Sequence, residues 1–151
     1  MGGNFISKQL FTIGYEGNDI DFFVSRLKRN DIDYLLDIRQ VPLSRKQGFS
    51  KSVLARRLNQ DNIRYIHFRE LGSPKHLRDK LKATNDYWGF FQKMDVYLTR
   101  KKEVIEEVHS YVVSNTCCLM CFERMATQCH RKLVADKIKE YNGNGLKIIN
   151  I

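Results

Sequence analysis

Apolar residues along this chain fall into two alternating rhythms. Short apolar runs at 11–15 (Phe-Thr-Ile-Gly-Tyr), 33–38 (Asp-Tyr-Leu-Leu-Asp-Ile), 63–67 (Ile-Arg-Tyr-Ile-His) and 116–122 (Thr-Cys-Cys-Leu-Met-Cys-Phe) predict strands. The second run is dense in apolar side chains, as a strand buried in a parallel sheet should be. Between them the spacing lengthens to three and four. Ile20, Phe23, Val24 and Leu27 predict a helix over 19–29, and Ser50 offers an N-cap to a short helix carrying Val53, Leu54 and Leu58. A helical pattern runs over 85–113, with Phe90, Phe91, Met94, Leu98, Ile105 and Val108 inward and a break expected near 99–102. Leu133, Val134 and Ile138 predict a helix over 126–141, which Asn142-Gly143-Asn144-Gly145 stops before a last strand at 146–149. Strand–helix alternation of this kind implies right-handed crossovers. The expected fold is a single α/β domain over 1–151, a mainly parallel sheet of four to five strands with helices on both faces.

In such sheets ligands bind beyond the carboxyl ends of the strands. The first predicted strand runs into Tyr15-Glu16-Gly17 and the second into Asp37-Ile38-Arg39. The third runs into His67-Phe68-Arg69-Glu70, and the fourth into Cys121-Phe122-Glu123-Arg124, with Cys129-His130-Arg131 near the start of its helix. Four polar clusters on one edge predict a site. Asp37 and Glu123 are the candidate acid/base carboxylates, although Asp37 and Arg39, two apart on one face, equally suit a structural ion pair. Tyr15, Arg39, Arg45, His130 and Arg131 are candidates to hold substrate or phosphate, the last two at the positive end of a helix. The last two have plainer alternatives: His130 as a cap or surface residue, Arg131 as a structural partner of Glu123. Cys129 at that helix start is a candidate nucleophile, because the position lowers a thiol's pKa. It is the weaker candidate, since no second cysteine is placed to resolve it, and it also fits as a small buried residue.

Composition narrows the setting. The chain has 151 residues, 42% hydrophobic and 28% charged, with two prolines, which excludes disorder and a disulfide-stapled scaffold. No apolar run approaches the roughly 20 residues that span a membrane. The first seven residues lack the pattern of a secretory leader or a myristoylation signal, so a cytoplasmic protein with no membrane partner is expected. Reduced thiols are therefore expected at Cys117, Cys118, Cys121 and Cys129, with no disulfide. Cys118 and Cys121, three apart on a strand, point to opposite faces, so no metal is expected. No cofactor motif is present either: Gly14 and Gly17 do not make a dinucleotide fingerprint, and the Cys118-to-Arg124 spacing of a phosphatase loop lacks the residues of a tight amide cradle.

Charge suggests a partner. Twenty-six Lys and Arg against seventeen Asp and Glu leave +9. Residues 39–58 contain six basic residues and no acidic one: Arg39, Arg45, Lys46, Lys51, Arg56 and Arg57. Lys46, Lys51, Arg56 and Arg57 are read as a nucleic-acid surface, with Phe49 either stacking on a base or anchoring the core. A solvated face that keeps the protein soluble is the plainer alternative.

The series Thr12-Ile13-Gly14-Tyr15, Asp37-Ile38-Arg39 with Pro42 and Ser44-Arg45, Phe49, Tyr65, Leu71-Gly72, Cys121-x-Glu123 and Cys129-His130-Arg131 resembles the domain of unknown function 488 family over about 12–139. The resemblance implies a compact α/β domain with a pocket built from those motifs, and no particular reaction. Two functions are carried forward. One is an enzyme acting on nucleic acid or a nucleotide, most simply a hydrolase; the other is a non-catalytic module that binds nucleic acid or a phosphorylated ligand. A carboxylate standing open in a cleft favours the first, and both carboxylates engaged by arginine favours the second.

Overall fold

In the computed structural model, which describes residues 8–151, the chain alternates strands and helices as β1 (Gln9–Gly14), α1 (Ile20–Arg29), β2 (Tyr34–Asp37), α2 (Lys51–Gln60), β3 (Arg64–His67), α3 (Lys75–Thr84), α4 (Tyr87–Thr99), α5 (Lys102–Ser114), β4 (Cys117–Cys121), α6 (Arg131–Tyr141) and β5 (Lys147–Asn150). The five strands form one sheet in the order β3-β2-β4-β1-β5, and every neighbouring pair is parallel. The α/β class and the helices on both faces are as expected. Residues 1–7, on which the absence of a leader was read, lie outside the described residues. Among the described residues no helix is long and apolar enough to cross a membrane.

Strand alternation divides the core in two. On one face Phe11, Ile13, Leu35, Cys118 and Met120 pack under α1 and α2 through Phe23, Leu27, Leu54 and Leu58. On the other, Leu10, Leu36, Leu119 and Cys121 pack under α3 to α6 through Leu77, Met94, Val108, Val134 and Ile138. Phe49 is wholly buried, stacked on Tyr15 at 4.5 Å and edge-on to Phe23. It is a core anchor, so its ring is not available to a base.

Three local expectations change. Ser50 makes no capping bond; its Oγ accepts from Ser44 N at 3.0 Å and donates to Ser44 O at 3.2 Å, so it pins the basic loop instead. The last helix starts at Arg131, because Ala126–Gln128 is a separate 3₁₀ turn and Cys129 is extended. The sequence reading also has no counterpart to α3, a polar helix that buries only Leu77. The break in the long helical segment falls at Arg100 and Lys101, as expected.

The crossovers place the crevice. The chain leaves β1 through α1 on one face and leaves β4 through α6 on the other. Neighbouring strands whose connections depart to opposite faces open a crevice at their carboxyl ends. In this sheet those strands are β4 and β1.

Candidate functional site

At that crevice the ends of β1 and β4 are drawn tightly together. Tyr15 N donates to Cys121 O at 3.2 Å, and Glu16 N to Phe122 O at 2.8 Å. Gly14 makes the approach possible: a Cβ there would lie 1.8 Å from the Glu123 carbonyl oxygen. Arg131, at the first position of α6 and 1% exposed, completes the clamp. Its guanidinium donates to Thr12 Oγ1 (3.2 Å), Cys121 Sγ (3.2 Å), the Glu123 carbonyl and the Arg124 carbonyl (3.0 Å). Arg131 therefore shapes the 121–124 turn through its backbone, and the Glu123 carboxylate is left to the crevice.

Asp37, with no exposed surface, is held differently. Arg39 grips it through Nε at 2.9 Å and Nη2 at 2.7 Å, the Arg39 backbone N–H adds 3.0 Å, and the Tyr65 hydroxyl donates to Oδ2. Burial works against the Arg39 charge, but the hydrogen bond and charge of Asp37 outweigh it and hold the guanidinium protonated. Burial first, then Asp37, pushes the Tyr65 phenol up. The remaining Arg39 nitrogen donates to Tyr15 Oη at 3.3 Å, which links the ends of β1 and β2. Gly72 lets the following turn pack here, since a Cβ would lie 2.1 Å from Gln40 N.

Above this platform lies a cavity of about 370 Å³, whose wall includes Tyr15, Arg39, Gln40, Cys121, Phe122, Glu123 and His130 from the sheet edge and Ser73, Arg78 and Lys82 from around α3. An adjoining hollow of about 220 Å³ shares Ser73, Arg78, Lys82, Glu123 and His130, so the two form one cleft. Among the described residues, Glu123 is the one acid lining it. Burial raises its carboxyl above the ordinary range, against the pull of a backbone hydrogen bond and Arg131. Two larger hollows of about 500 Å³, one between α3 and α4 and one beside β3, lie away from the sheet's carboxyl edge and contain no acid.

The structure thus gathers Tyr15, Arg39, Glu123 and His130 in one cleft, with Asp37 beneath Arg39 and Arg131 behind the Glu123 turn. His130 is 7% exposed; its Nε2 donates to the Ile38 carbonyl at 2.9 Å, and burial pulls its pKa down to about 4. The ring is neutral at physiological pH and ties α6 to the end of β2. Arg45 is exposed and is not among the residues lining the cleft. Lys46 donates to Tyr15 O at 3.4 Å. Arg57 pairs with Asp21 at 2.7 Å on the α1 side, while Lys51 and Arg56 are exposed on α2.

Two corrections concern the cysteines. The sulfurs of Cys121 and Cys129 are joined in a disulfide; Cys117 and Cys118 are free and buried. Four reduced thiols were expected from a reducing cytoplasmic setting and from strand alternation within β4. The β4 end and the α6 start converge at the sheet edge, which that spacing does not encode. Cys129 therefore does have a second cysteine beside it. The two sulfurs and a Glu123 carboxylate oxygen lie within 4.8 Å of one another, but sulfurs bonded to each other do not coordinate as thiolates.

Arg78, Lys82, Ser73 and Gln40 are site residues that sequence reasoning missed. The signal was faint: Ser73-Pro74 opening a segment with Leu77 and Leu81 four apart, and Arg78 and Lys82 at the same spacing one position on.

No curated protein and no solved structure matches the chain. The pattern of one family, described as Domain of unknown function DUF488, matches residues 19–138. That stretch is most of the chain and holds Asp37, Arg39, Arg78, Glu123 and the Cys129-His130-Arg131 run. The chain therefore belongs to the DUF488 family.

Proposed function

We propose that the protein is an enzyme acting on a nucleotide or on nucleic acid, a hydrolase in which Glu123 is the general acid–base and α3 holds the phosphate. The observation that carries this reading is a single half-buried carboxylate, raised in pKa by burial, facing a cleft whose other charged groups are basic. A carboxyl whose pKa is raised by burial holds its proton to higher pH than a free one, which suits a general acid–base. Arg78 and Lys82, one turn apart, offer the positive charge; Arg78 is oriented by Gln40 Oε1 at 2.7 Å and by the Ser73 carbonyl. Arg39, already neutralised by Asp37, serves better as a fixed hydrogen-bond donor than as a free charge. Asp37 acts in this reading by positioning Arg39, because its own oxygens are occupied.

The second reading, a binding module without turnover, is favoured by that same full engagement of Asp37. It keeps the phosphate site and drops the proton transfer. Incubating the protein with nucleoside mono- and diphosphates and with single- and double-stranded oligonucleotides, with and without a divalent cation, separates the two. Turnover that falls roughly 10²–10⁴-fold in Glu123→Gln, with binding retained, supports the enzyme. Binding lost in Arg78→Ala/Lys82→Ala, with no product under any condition, supports the module. Turnover unchanged in Glu123→Gln would overturn the assigned role.

A further inference from the structure

We propose that Cys121 and Cys129 are a redox-active couple that exchanges with small disulfides entering through the cleft, and not a static cross-link. The four cysteines divide sharply. Cys117 and Cys118 are wholly buried in opposite halves of the core, where burial pushes the Cys117 thiol up to about 12 and the Cys118 thiol higher still. Such thiols are inert. Cys121 and Cys129 are also buried, each 1% exposed, but Cys121 lines the wall of the cleft and its sulfur meets that of Cys129.

The donors around the pair fit its reduced state. Arg131 N, at the first position of α6, donates to Cys129 Sγ at 3.4 Å, and Arg131 Nη1 donates to Cys121 Sγ at 3.2 Å. A sulfur in a disulfide is a weak, neutral acceptor; a thiolate accepting from guanidinium makes a charge-assisted bond. Arg131 also needs such a partner. Its other acceptors are a hydroxyl and two carbonyls, and among the described residues it makes no ion pair. The Glu123 carboxylate favours its charge without pairing to it directly, and a thiolate at Cys121 adds a counter-charge in hydrogen-bond contact.

The exchange is balanced within the site. The Cys121 thiolate attacks one sulfur of a small disulfide, forming a mixed disulfide and expelling one thiolate. Cys129 then attacks the Cys121 sulfur, closes the Cys121–Cys129 bond and expels the second thiolate. The two leaving thiolates take up the two protons that the cysteines lose. The small disulfide is reduced by two electrons and the protein oxidised by two, and a dithiol reductant runs the sequence backwards. The couple does not depend on Glu123 acting as an acid.

The test uses the full chain, reduced and desalted, then exposed to glutathione disulfide, denatured, alkylated and mapped by mass spectrometry. The wild type is expected to lose two of its four thiols, with Cys121 linked to Cys129 and with Cys117 and Cys118 alkylated. Cys129→Ser is expected to stall with one glutathione on Cys121. Cys121→Ser is expected to leave Cys129 largely unreacted. The proposal is overturned if no thiol is lost, if the linked pair includes Cys117 or Cys118, or if dithiothreitol cannot open the bond in the folded protein. It is also overturned if the reduced protein takes up one zinc per chain that protects both thiols, since the pair is then a metal site.

Discussion

Asp37 and Arg131 are both buried at the carboxyl edge of the sheet, and each settles its charge differently. Asp37 meets a bidentate arginine, a backbone N–H and a phenol, so every strong acceptor site is used. Arg131 meets neutral oxygens and a sulfur. Removing one member of a buried pair leaves the other uncompensated, at a cost of about 3–5 kcal/mol. Asp37→Asn is therefore expected to lower unfolding free energy by that amount in urea titration, and pairing it with Arg39→Met is expected to recover much of the loss. A single-mutant cost within about 0.5 kcal/mol of zero, the range of an ordinary surface change, would show that the pair is not the structural anchor described. Asp37 was legible in the sequence as the partner of Arg39 because the two stand two positions apart where the predicted strand ends. Tyr65 as the second partner was not, since it lies on β3 and reaches Asp37 only through the β2–β3 register.

At the scale of elements, α6 is attached to β2 by one side chain. His130 precedes the helix, donates to the Ile38 carbonyl, and is held neutral with a pKa near 4. The unfolded chain protonates this histidine near its ordinary 6.5. Between those values the unfolded state binds a proton that the folded state refuses, so stability falls as pH drops from about 6.5 to 4. The contribution approaches roughly 3 kcal/mol at the acid end. Glu123, whose pKa is raised, works in the opposite sense over the acid range and is common to both proteins in a direct comparison. His130→Gln retains a donor for Ile38 and cannot titrate; the gap in stability between wild type and variant is expected to move in the variant's favour as pH is lowered across this window. A constant gap from pH 7 to pH 4 would remove the buried-neutral account. Helix α3 shows the opposite relation to its sequence. Only Leu77 is buried, so its apolar period is too thin to stand out, yet it carries Arg78 and Lys82 into the cleft.

For the whole molecule, only part of the basic run at 39–58 stands exposed and unpaired. Arg39 lies under the cleft beside Asp37, Lys46 leans on Tyr15 O, and Arg57 is paired with Asp21 and Asp61. Arg45, Lys51 and Arg56 are the exposed members of that run. If nucleic acid is the ligand, its affinity should fall with salt at a slope of roughly −0.9 per phosphate contacted in duplex, or −0.7 in single strands. Arg56→Ala is expected to flatten that slope by about one contact, and Arg57→Ala by less, because Asp21 already offsets its charge. Arg78→Ala is expected to weaken binding most, since it lines the cleft itself. Salt-independent binding, or none at low ionic strength, would leave a small phosphorylated ligand as the substrate class.

Periodicity alone determined the strand–helix alternation, the two-sided core and the polar strand ends, because side-chain period and burial are local properties that a parallel sheet must satisfy. The same logic placed Tyr15, Arg39, Glu123 and His130 at one edge. Tertiary structure alone decided which of them face the cleft. It turned Glu123 outward by clamping its carbonyl with Arg131, and closed Asp37 with Tyr65. It brought Cys121 against Cys129 and set α3 across the opening. These contacts join residues 8 to 28 positions apart on different elements, and no spacing within a single element records such a pairing.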